Sequence, residues 1–285
     1  GGVAISSGAS ASASSGSVQI STAGGDGRTG QINMSSGPSD KSDSGDVTIS
    51  TGVSSTGRGG SIGIAVGNGA SSSGGDVSIA AGETSAANGR GGSVYVRGGG
   101  KKGDEKSPIG GFGGGVTLAG GDGKGTDTDT AGDGGDVTLI GGNAEAGFGG
   151  TVKLLTGVSD KGGSREITVQ TGTSPLTSGP IFLRTGNSTE SHSGGIFIHS
   201  GGSEESIGGL ISMRVGASAI GGKVSIAAGE ATSAGEKGGM LSLVAGSGTN
   251  DYSGDGGNGG DVIVEAGMSF GKSEKVDVGG STFVS

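Results

Sequence analysis

The 285-residue chain contains 74 glycines, no cysteine, 29% hydrophobic and 3% aromatic residues, and a formal net charge of −9. Glycine averages about 7% in ordinary proteins, so apolar side chains are too sparse here for a conventional globular core. The acidic balance disfavours nucleic-acid phosphates and anionic membranes, disulfides and thiol chemistry are excluded, and no apolar run nears the ~18 residues that span a bilayer.

The chain opens on "GGVAIS", with its pattern already running at Val3, and so reads as a piece of a longer chain. From there, aliphatic pairs separated by one residue recur at Val3/Ile5, Val18/Ile20, Ile32/Met34, Val47/Ile49, Ile62/Ile64, Val77/Ile79 and Val94/Val96. They continue at Val116/Leu118, Val137/Leu139, Val152/Leu154, Ile167/Val169, Ile181/Leu183, Ile196/Ile198, Ile211/Met213, Val224/Ile226, Leu241/Leu243 and Val262/Val264. A weaker pair follows at Val276/Val278. Of the sixteen steps between the first seventeen pairs, eight are 15 residues long, and the rest run from 13 to 22.

A spacing of two is the strand period, and β-branched residues suit strands. A small residue comes two positions after nearly every pair, as at Thr51, Ala81, Thr156, Ala228 and Ala266, with valine there only at Val66 and Val215. Glycine then follows in sixteen of the seventeen cases, where a corner would need close backbone approach. Segments between pairs are rich in Gly, Ser, Thr, Asn and Asp, with no helical period. An unstructured glycine–serine chain has no reason to keep this register.

The pattern therefore predicts an all-β fold, a parallel β-solenoid of about 17 fifteen-residue repeats. Two repeats per coil would form two facing parallel sheets and bury more aliphatic surface, and this closure is preferred over one repeat per coil. Residues 1–267 form the repeat array, and 268–285 a C-terminal tail or the start of a further repeat. On this reading Ile79 is a core residue that would not tolerate aspartate. The phrases "GGDVSIAAGETSAANGRGGSVYVRGG" (74–99) and "GGKVSIAAGEATSAGEKGGMLSLVAG" (221–246) suggest an internal duplication.

The recurring "GGDVTIxxG" phrase with Ser/Thr/Gly spacers resembles repetitive glycine–serine–threonine proteins of the surface of diatoms and related algae. It is also similar to bacterial β-solenoid adhesins. The resemblance implies an extracellular filament, sheath or adhesive component at the cell surface.

Candidate chemistry is sparse. Asp122, Asp127, Asp129 and Asp133 lie in the oxygen-rich stretch "DGKGTDTDTAGDGGD", where Ca²⁺ is the one cofactor to consider; turn-forming carboxylates explain these positions as well. His192 and His199 lack a nucleophile motif, and Glu204–Glu205 lies in a loop without an apolar pocket to tune it. No catalytic residue is assigned, and the chain is read as a non-enzyme. Asn33 and Asn187 stand in N-x-S/T sequons, the signature of N-glycosylation. Phe182 and Phe197 occupy equivalent middle positions of consecutive pairs and could present an exposed aromatic contact.

The expected function is a non-catalytic structural protein that assembles end to end into an extracellular filament, sheath or appendage. Self-association is the expected interaction, with other surface proteins or polysaccharide as further partners, and neither nucleic acid nor a membrane span. The alternative is an adhesin or a carbohydrate- or ice-binding β-solenoid. Against ice binding, Lys153, Phe182 and Phe197 interrupt any threonine array.

Overall fold

The computed structural model describes residues 2–70, 73–101, 112–125, 132–271 and 277–283. Asp127, Asp129 and Val276 lie outside the described residues. The chain divides into two units, Gly1–Lys153 and Leu154–Ser285.

The expected β-solenoid is not there. Among the described residues none belongs to a strand or a helix, so there are no facing parallel sheets, with one or two repeats per coil. The likeness to β-solenoid surface proteins and adhesins falls with them. A sheet requires evenly repeated N–H···O=C pairs along neighbouring segments. The cross-segment main-chain bonds here come singly, one at each pinch between glycines, with one further bond from Gly257 N–H to the Asn250 carbonyl inside the loop from Gly246 to Gly260.

The aliphatic pairs are correspondingly open to solvent. Even the least exposed pair member, Ile32, shows 48% of its surface, and Ile79 shows 71%. No described residue is buried. The accessible surface is 28641 Å², against about 10,700 Å² for a folded monomer of this mass and about 38,000 Å² for an unfolded chain. Alternation at spacing two is compatible with burial on one face, but nothing packs over that face within the described residues.

What recurs is a single hydrogen bond. The glycine three residues past a pair accepts from the N–H of the glycine two residues before the next pair. In the first unit this bond joins Gly16 to Gly8 (3.3 Å), Gly92 to Gly82 (2.8 Å), Gly114 to Gly99 (2.7 Å), Gly135 to Gly121 (2.8 Å) and Gly150 to Gly142 (2.7 Å). In the second it joins Gly209 to Gly201 (3.0 Å), Gly239 to Gly229 (2.8 Å) and Gly260 to Gly246 (2.8 Å), while Gly280, which lies two residues past Val278 rather than before a pair, donates to Gly267 (2.8 Å). The bond forms whether the segment between is short, as from Gly142 to Gly150, or long, as from Gly99 to Gly114. Closure cost rises only slowly with loop length. Gly280 closing onto Gly267 leaves Val278 inside the spanned segment, 78% exposed.

The small residue before each accepting glycine has a definite role in this closure. It seats the approaching glycine. A Cβ on Gly92 would stand 3.2 Å from the Ala81 Cβ, one on Gly239 3.4 Å from the Ala228 Cβ, and one on Gly209 2.9 Å from the Ser200 Cβ. Where the seat is itself glycine, at Gly98, Gly120 and Gly141, the incoming backbone fills the space a Cβ would need. The only described residues that are not exposed are six of these seats: Ser7, Ala81, Gly98, Gly120, Gly141 and Ala245.

A second device shapes the loops. The hydroxyls of Ser10, Ser39, Ser54, Ser159 and Ser188, each seven residues past the start of a pair, accept the N–H three residues on. These are side-chain turns of the kind serine forms readily.

The duplicated phrases share their local structure. Gly89 N–H donates to the Ala86 carbonyl (2.9 Å) in one, and Glu236 N–H to the Ser233 carbonyl (3.3 Å) at the matching place in the other. The position before the donor is Asn88 in the first copy and Gly235, with φ at 82°, in the second. Three closures then run in the same order in both, from Gly82–Gly92 and from Gly229–Gly239.

Two outcomes follow from this arrangement. Ile79→Asp, placed on an exposed side chain, should change stability by no more than about 0.5 kcal/mol and leave the far-ultraviolet circular dichroism spectrum unchanged. Gly150→Ala should open its loop, because its Cβ would stand 2.7 Å from the Gly142 nitrogen, whereas Gly142→Ala points into open space. A hydrogen bond of net about 1 kcal/mol corresponds to about fivefold amide protection, which hydrogen exchange at residue 150 should show lost in the first variant and kept in the second.

Candidate functional site

The residues that sequence marked as an aromatic contact are exposed, Phe182 at 66% and Phe197 at 81%. Each is paired with the residue two positions on, which the local alternation puts on the same side. The Arg184 guanidinium carbon lies 4.2 Å from the centre of the Phe182 ring. The Phe197 and His199 rings stack at 6.3 Å with 10° between their planes. Phe197 also lies over Gly195, where a Cβ would meet its ring edge at 3.0 Å. Each aromatic therefore has a local partner, and no ring contact joins Phe182 to Phe197 among the described residues. Arg184 and His199 were the residues that reading the sequence for this site missed; their spacing of two from each phenylalanine was the available signal.

The acidic stretch is only partly described. Asp122 and Asp133 are exposed, and the backbone at Gly123 approaches Gly132 and Asp133 closely. No group of three or more His, Asp or Glu residues suited to holding a metal ion occurs among the described residues. Asn33 and Asn187 are both exposed, and the Ser188 hydroxyl of the second sequon accepts the Ser191 N–H at 3.1 Å. His192, Glu204 and Glu205 stand in solvent, apart from any enclosed cavity. An open depression of about 470 Å³ is lined by residues such as Gln170, Thr171, Ser174 and Ser178, with neither a carboxylate nor an imidazole. Another, of about 560 Å³, is lined by Ser164, Arg165 and Glu166. Among the described residues no helix is long and apolar enough to cross a membrane.

These placements correct the expected interactions. End-to-end self-association needed unpaired strand edges at the ends of a sheet, and the described residues contain no sheet. Docking of surface proteins or polysaccharide on a solenoid face, and the ladder required for an adhesin or an ice- or carbohydrate-binding solenoid, lose the same support.

No family model, no curated protein and no solved structure matches this chain.

The Arg184–Phe182 contact is exposed, where a cation–π pair contributes about 0.5–1 kcal/mol. Arg184→Gln should therefore leave the global spectrum unchanged while shifting the Phe182 ring-proton resonances. The Phe197 ring resonances, set by His199, should not move.

Proposed function

We propose that this chain is a non-catalytic extracellular protein that contributes a hydrated spacer sequence outside the cell. The observation that carries the reading is exposure: apart from six small seat residues, every described residue faces solvent. Catalysis at ordinary pH relies on groups desolvated and held in a fixed constellation, and the described candidate carboxylates and imidazoles here are exposed, with His199 stacked on the Phe197 ring. Small hydroxyl-bearing and glycine residues keep such a surface hydrated, and loops pinched by glycine accept length changes between pinches.

The external location draws support from the two exposed sequons at Asn33 and Asn187. Shaving intact cells of the source organism with a protease tests it. Epitopes of this chain should be lost without lysis, and retention until the cells are broken would overturn the reading. Expressed through a eukaryotic secretory route, the chain should carry glycans at both sequons. Asn33→Gln and Asn187→Gln should each remove one glycosidase-sensitive increment of mass.

A further inference from the structure

We infer that Asn258 is a site of spontaneous main-chain modification, converting through a cyclic imide to aspartate and isoaspartate, and that the isoaspartate product opens the loop closed by Gly246 and Gly260. The placement is specific. Within that loop Gly257 N–H donates to the Asn250 carbonyl at 2.9 Å, and Gly260 N–H donates to the Gly246 carbonyl at 2.8 Å. Asn258 and Gly259 are the link between these two fixed points. Asn258 is exposed, and the Gly259 N–H has no hydrogen bond among the described residues. The backbone is also tight here, since a Cβ on Gly248 would collide with Gly257 and the Asn258 nitrogen.

The chemistry needs only base and water. The Gly259 amide loses its proton, and its nitrogen attacks the Asn258 Cγ, forming a new N–C bond. The Cγ–Nδ2 bond breaks, and the side-chain nitrogen takes up a proton and leaves as ammonia. Water then adds to either carbonyl of the five-membered imide. Opening at Cγ yields aspartate; opening at the main-chain carbonyl yields isoaspartate, in which the chain runs through Cβ and Cγ. One water enters, one ammonia leaves, and nothing is oxidised or reduced. A following glycine favours attack because no side chain shields its nitrogen.

The consequence is local and geometric. Isoaspartate inserts one extra carbon into a link whose two ends are already held by hydrogen bonds, so both bonds cannot keep their length. The new carboxylate also joins Asp251, Asp255 and Asp261 in the same stretch. Asn88–Gly89 supplies the internal comparison. It has the same dipeptide and is equally exposed, but the Gly89 N–H is held by the Ala86 carbonyl at 2.9 Å. Asn68–Gly69 has no such pair of flanking bonds, and its conversion would open no closure.

Incubating the full chain at mildly alkaline pH, followed by peptide mass spectrometry, tests the proposal. Conversion at Asn258 should outrun that at Asn88 by about fivefold, the population effect of one hydrogen bond on the attacking amide. Hydrogen exchange should show the Gly260 amide losing its protection in the isoaspartate fraction. Asn258→Asp, which adds the charge without the extra carbon, should keep that protection. Equal conversion at the two sites would overturn the assignment of Asn258. Retained Gly260 protection in the isoaspartate fraction, or its loss in Asn258→Asp, would overturn the loop-opening mechanism.

Discussion

The approach of one glycine backbone to another, over a seat too small to obstruct it, is the constraint on which the rest of this structure depends. The bond from Gly92 to Gly82 forms because Gly92 carries no Cβ and because Ala81 beneath it carries only one carbon. Glycine loses more conformational freedom on ordering than any other residue, so a chain one-quarter glycine stays ordered only where such contacts recur. Each closure adds a modest net stabilisation and acts over a few residues. It fixes where a loop begins and ends and leaves the contents of the loop free to vary.

This explains why the aliphatic pairs remain exposed. Burial contributes roughly 25 cal/mol per Å², but only when one apolar face meets another across elements held in register. A single main-chain bond between neighbouring phrases sets their spacing without setting strand pairing. Val77 and Ile79 alternate as a strand would, yet Ile79 keeps most of its surface in water. The order that exists is carried by the smallest side chains, and the largest contribute little to it.

The same openness shapes the chemistry available to the chain. Phe182 and Phe197 are satisfied by Arg184 and His199 beside them on the chain, contacts that alternation alone can provide. Glu204, Glu205 and His192 are exposed and have no such ring contact among the described residues. The reactivity inferred at Asn258 lies in the backbone. Whether an Asn–Gly link is held or free depends on one neighbouring carbonyl, as the contrast between Asn88 and Asn258 illustrates.

The sequence by itself determined the phrase and its corners. The spacing of the pairs, the small residue after them, the glycine that follows and the kinship of the stretches at 74–99 and 221–246 are all legible there, and they coincide with the seats, acceptors and matched turns of the structure. The glycine two residues before nearly every pair, Arg165 being the exception among the first seventeen, and the serine seven residues past the start of about half of them were equally visible. Their partners were not, because a hydrogen bond joins positions whose separation changes from loop to loop. Only the tertiary structure decided that alternation at Val77/Ile79 does not become a sheet. Period two reports which side chains share a face, whereas a sheet requires a second segment paired along its length, and here glycine pairs with glycine at a single point.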